Sequence, residues 1–91
     1  MADFVRWRQV IEDPPAHVLI AESRSDREYV VTRVMLRDCV NVRGGCPRTL
    51  AMNVVLSPRN RVDLMTVYPA DPDKEFSFDW VYRGELVPRA P

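Results

Sequence analysis

Arg33, Arg37 and Arg43 fall at alternating positions of one apolar-patterned stretch, with Arg48, Arg59 and Arg61 in the turns beside it. Side chains of a strand alternate between its faces, so the first three share the face opposite the core. A guanidinium presents a planar fork that matches phosphate or carboxylate. It can also stabilise the charge that develops in phosphoryl transfer. The same pattern suits a solvated outer sheet face, its arginines paired with Glu28, Asp38 or Asp63, and both readings stand. His17 is the only side chain that ordinarily titrates near neutrality, which makes it the natural general acid or base. It follows a Pro-Pro turn, where an exposed and idle histidine is equally in keeping with the sequence.

The elements that must position these groups follow from periodicity. Residues 3–12 are expected to form a short helix: Asp3 can cap it, and Phe4, Trp7 and Val10 or Ile11 recur at helical spacing. Asp13-Pro14-Pro15 would end it. His17–Glu22 predicts a first strand, and Glu28–Arg43 gives the longest strand signal. Its even positions Val30, Val34, Leu36, Val40 and Val42 are apolar, although a bulge near Asp38 would break that register. Gly44-Gly45 makes a turn, Thr49–Leu56 returns with Leu50, Met52, Val54 and Leu56 on one face, and Arg61–Tyr68 forms a fourth strand. Phe76, Phe78, Trp80 and Tyr82 alternate along a last one, a stripe that suits a buried face or a stacking surface. The chain end from Pro88 is expected to fray. The expected architecture is one α+β domain over residues 1–91, a short N-terminal helix packed on a mostly antiparallel sheet of about five strands.

Composition narrows the function classes. A hydrophobic fraction of 46% with 29% charged residues belongs to a globular chain rather than a disordered one. No apolar run approaches a membrane span and the N-terminus lacks the apolar core of a signal peptide. The expected location is therefore the cytoplasm, or a cytoplasm reached as part of a larger polypeptide, with no membrane partner. Net charge is zero, yet residues 22–61 hold eight arginines against four acids, and residues 71–79 hold four acids. Such asymmetry permits contact with nucleic acid. Cys39 and Cys46 flank Val-Arg-Gly-Gly and can meet across a hairpin, but free thiols in a reducing compartment are expected. One histidine and two cysteines give no four-ligand zinc set, so no structural metal is expected.

An N-terminal segment containing Trp-x-x-Val-Ile-Glu-Asp-Pro, then antiparallel strands, then a strand ending Thr-Val-Tyr-Pro, resembles the barnase–EndoU–colicin–RelE-like superfamily over residues 7–69. That resemblance implies a metal-independent RNA endonuclease of toxin or phage-associated type, with no cofactor. It also implies active-site hydroxyls from Thr66 and Tyr68, which lie two apart on one strand. A base would take the ribose 2′-OH proton, the 2′-oxygen would attack phosphorus, and an acid would protonate the departing 5′-oxygen. His17 would be the base or acid, Arg33 and Arg37 the phosphate stabilisers, and Thr66 and Tyr68 positioning groups. Arg43, Arg48, Arg59 and Arg61 would hold RNA.

Two other readings stand beside this hydrolase. One is a non-catalytic protein-interaction module, an immunity-like inhibitor or accessory protein, that meets a cognate protein partner through the acidic segment and the aromatic strand. The other is a nucleic-acid binder without chemistry.

Overall fold

The computed structural model describes residues 3–88. They form six strands: β1 (Phe4–Glu12), β2 (Pro15–Ser23), β3 (Tyr29–Val40), β4 (Arg48–Leu56), β5 (Arg61–Val67) and β6 (Ser77–Leu86). Two antiparallel three-stranded sheets result, in the orders β1–β2–β5 and β4–β3–β6. The fold is all-β, which corrects the expected α+β class. Residues 89–91, part of the end expected to fray, lie outside the described residues.

The expected helix over residues 3–12 is strand β1, paired with β2 through nine consecutive partners from Phe4↔Ser23 to Glu12↔Pro15. Phe, Val, Trp and Ile favour a pleated surface. A hairpin closed by the Asp13-Pro14 turn gives β1 a backbone partner at every step, so tertiary pairing overrides the helical spacing of Phe4, Trp7 and Val10. The strand also uses its charges. Arg6 donates to the Trp80 carbonyl and Arg8 Nη2 to the Phe78 carbonyl at 3.2 Å, capping the free edge of β6. The Tyr82 hydroxyl returns a bond to the Val5 carbonyl at 3.1 Å. Burial pushes that hydroxyl up to a pKa of about 12, which keeps it a donor throughout the neutral range.

The core lies between the sheets. Leu19, Ala21 and Val67 meet Val31, Val34, Leu36, Leu56, Phe78, Trp80 and Tyr82. The aromatic stripe of β6 therefore lines the core face, and truncating Trp80 would cost about 3–5 kcal/mol. Expected strands and observed strands agree within a few residues, but two parities differ. The irregularity at Val31–Arg33 buries Val31 in place of Val30. A second between Arg37 and Val40, where Asp38 takes φ 54°, leaves Val40 60% exposed. An irregularity between Leu19 and Ile20 sets Val62 opposite Ala21 but Thr66 opposite Val18. Val62 and Thr66 thus fall on opposite faces of β5.

Candidate functional site

The segment after β3 is folded by residues that tolerate left-handed backbone. Asn41 (φ 56°), Gly44 (φ 88°) and Gly45 (φ 68°) take that conformation, open to asparagine and to glycine at low cost. The resulting turn brings the Cα atoms of Cys39 and Cys46 to 5.7 Å, where the two cysteines form a disulfide. The expected free thiols are thereby corrected; the chain reversal across which the two cysteines could meet is formed and joins them.

This turn is fastened to the segment after β5. Asn41 Nδ2 donates to the carbonyls of Asp71, Lys74 and Glu75, and its Oδ1 accepts the Asp71 amide at 2.9 Å. The Arg43 amide donates to the Tyr68 carbonyl and the Ala70 amide to the Asn41 carbonyl. A β-bridge joins Val42 to Pro69. Held this way, the Arg43 guanidinium lies 5.3 Å from the Tyr68 ring centroid. Arg48 Nη1 donates to the Arg43 carbonyl at 3.0 Å. It passes where a Cβ on Gly44 would sit, so a side chain there would displace the arginine, while φ 88° is what favours glycine.

These groups line a cavity of about 170 Å³, together with Thr66 and the apolar Leu36, Met65 and Val67. Two features decide what it can hold. Its volume falls below the roughly 300 Å³ at which drug-sized ligand pockets begin, so a single phosphate group fits it better than a whole nucleotide. Its polar lining residues are Arg43, Arg48, Thr66 and Tyr68, with no acidic residue among them. Neither Arg43 nor Arg48 joins a salt bridge among the described residues. Four of the nine candidate residues, Arg43, Arg48, Thr66 and Tyr68, are brought together here.

The other five lie elsewhere. Arg33 and Arg37 occupy the outer face of the second sheet, as the alternation implied, with Arg33 opposite Arg83 and Arg37 opposite Asp79. Arg37 Nε donates to Asp79 at 2.8 Å, which raises the guanidinium pKa and lowers that of the carboxyl. Arg59 and Arg61 sit at the opposite end of the molecule from Arg43, in the turn and strand start after β4. A wide hollow at that end, about 780 Å³, includes its own acid, Glu22. That carboxylate accepts Arg24 at 2.8 Å and Arg61 at 2.6 Å, and the two bonds hold its pKa below the usual range. Arg61 additionally lies 4.9 Å from the Trp7 ring centroid. Arg24 and Arg61 are thus already engaged by Glu22.

His17 is on β2 opposite Val67, with its ring 4.5 Å from Phe76 and 5.6 Å from Phe78. Its Nδ1 is buried without a partner among the described residues. Burial, then the charge of Arg8, lowers its pKa, so it is neutral at pH 7. It borders an open groove walled by Glu12, Asp73 and Glu75 rather than the arginine cavity.

Sequence reasoning missed Asn41, Gly44 and the cysteine pair as the frame of the site. The signal available was an Asn and a Gly-Gly between two cysteines, residue types that permit positive φ. No group of histidine, cysteine and carboxylate side chains that could hold a metal ion occurs among the described residues, and no helix is long and apolar enough to cross a membrane. No family model, curated protein or solved structure matches the chain.

Proposed function

We propose that this chain is a nucleic-acid-binding module that grips a backbone phosphate of single-stranded RNA between Arg43 and Arg48 without cleaving it. The observation that carries the reading is the acid-free cavity lined by Thr66, Tyr68 and two arginines that join no salt bridge among the described residues. Charge-assisted bonds to phosphate are about twice as strong as neutral ones, and the disulfide and Asn41 contacts hold their donors in place before binding.

Binding is favoured over cleavage because 2′-OH attack needs a proton acceptor beside the bound phosphate. The residues lining the cavity include no histidine or acid, while His17 is held against Phe76 and Phe78. Arg33 and Arg37, the expected phosphate stabilisers, stand on a different face. The protein-interaction reading loses its proposed anchors, since Phe78, Trp80 and Tyr82 are at most 7% exposed.

Fluorescence anisotropy with a short labelled RNA tests the reading. Binding should weaken with salt at a slope of about −0.7 in log K per phosphate engaged. Arg43→Ala/Arg48→Ala should abolish it, whereas Arg33→Ala/Arg37→Ala should change it less than threefold. A DNA arm and an inorganic phosphate arm separate backbone recognition from ribose recognition and from simple anion uptake. Binding unaffected by the Arg43/Arg48 pair contradicts the proposal, and so does RNA cleavage that depends on His17.

A further inference from the structure

Most aromatic rings of this chain are committed to the core. Phe78, Trp80 and Tyr82 are buried in it, and Phe4, Tyr29 and Phe76 pack against it. Two rings are exposed, Trp7 at 40% and Tyr68 at 44%. Trp7 lies on β1 with the Arg61 guanidinium near its ring. Tyr68 instead lines the arginine cavity. Its approach to Arg43 is the one ring or hydrogen-bonding contact of its side chain among the described residues. The backbone beneath this ring is fixed. The Tyr68 carbonyl accepts the Arg43 amide, buried Pro69 bridges Val42, and the Ala70 amide donates to Asn41. An exposed ring on an ordered backbone offers contact area with little entropy left to lose on binding.

The size of the cavity supplies the second half of the argument. At about 170 Å³ it admits a phosphate group but not the nucleoside attached to it. One ribose joins a base to its phosphate, so the base of a gripped nucleotide must lie just outside. Tyr68 is the aromatic residue of the lining, and it is the one that also reaches solvent beside Arg43. We infer that the exposed Tyr68 ring stacks the base adjoining the phosphate held by Arg43 and Arg48. The inference rests on the phosphate reading of the cavity and extends it from backbone to base. The ligand is then an unpaired nucleotide within a single strand, because a base inside a duplex has both faces covered by its neighbours. Every base has a π-face, so such stacking tolerates any sequence. Arg43 serves both halves of the site: its charge attracts the phosphate, and its contact with the ring holds the ring in place.

Fluorescence anisotropy with a labelled oligoadenylate and an abasic ribose-phosphate oligomer of equal length reads the ratio of the two affinities. The wild type should bind the oligoadenylate about tenfold more tightly. In Tyr68→Ala the two affinities should become equal. Tyr68→Phe keeps the ring and loses the hydroxyl, and should retain the ratio. A purely structural role for Tyr68 would weaken both oligomers together in Tyr68→Ala and leave the ratio standing, which overturns the inference. A ratio lost in Tyr68→Phe also overturns it, since the hydroxyl rather than the ring would then be responsible. Equal binding of the two oligomers by the wild type overturns the stacking and leaves the phosphate grip intact. Binding of neither overturns both.

Discussion

The Arg8 guanidinium lies 4.3 Å from the centroid of the Phe78 ring while its Nη2 donates to the carbonyl of the same residue. One cation thus covers both the face and the free edge of β6, at the seam where the two sheets have no backbone ladder. A hydrogen bond from a charged donor contributes about 1.5–3 kcal/mol, and an exposed cation–π contact about 0.5–1 kcal/mol. Arg8→Ala should lower unfolding stability by about 2 kcal/mol in urea titrations. Arg8→Lys should recover only part of it, lacking the planar fork. A change within the error of such titrations would show that the seam is held by other contacts.

His17 gives the stability an acid-side slope. Its folded pKa is lowered from the ordinary 6.5, by burial first and by Arg8 second. Below pH 6.5 the unfolded chain takes up a proton that the folded chain resists, so stability is full above that pH and declines as pH falls through the folded value. Urea midpoints measured from pH 8 to pH 5 should decline in the wild type and flatten in His17→Phe. An NMR titration should place the His17 pKa higher in Arg8→Ala, yet still below 6.5, because burial is the larger cause.

Gly84 stands opposite Val31 on β3. A Cβ there would collide with the Val30 carbonyl oxygen and lie 2.8 Å from the Tyr29 ring. The obstacle is backbone, which cannot swing aside as a side chain does. Gly84→Ala should therefore cost about 2–3 kcal/mol, whereas exchange of the neighbouring exposed Arg83 for alanine should cost little. Equal midpoints for the two variants would contradict the close approach.

The Cys39–Cys46 bond closes a short loop that carries Arg43. Replacing both cysteines by serine should lower stability by about 2 kcal/mol and weaken RNA binding several-fold, because the arginine donors must then be ordered on binding. Loss of stability with unchanged affinity would show that the Asn41 contacts alone hold the site.

Particular residues explain how much of this was legible. The five strands after residue 14 show in the alternation of the sequence because each has one apolar face, and Phe78, Trp80 and Tyr82 behave as a buried stripe should. The first segment misleads because Phe4, Trp7 and Val10 satisfy helical spacing, while what decides its form is a partner strand beyond the Asp13-Pro14 turn. Irregular registers at Val31–Arg33 and Leu19–Ile20 leave no mark in residue types, so the faces of Val30 and Thr66 were not legible. Arg43, Arg48, Thr66 and Tyr68 were visible as candidates one by one. Their convergence depends on the hydrogen bonds of Asn41 and the clearance at Gly44, which pattern does not encode. Arg37 and Arg61 stood equally high by type, and only their bonds to Asp79 and Glu22 set them apart.

The most direct measurement is an NMR titration of the isotope-labelled protein with a short single-stranded RNA. Amide shifts should concentrate in residues 41–48 and 66–70, with the Arg43 and Arg48 side-chain signals moving furthest and the Arg33–Arg37 face remaining still. Shifts confined to that outer face, or to the end bearing Arg59 and Arg61, would contradict the assignment of the phosphate site to the arginine cavity.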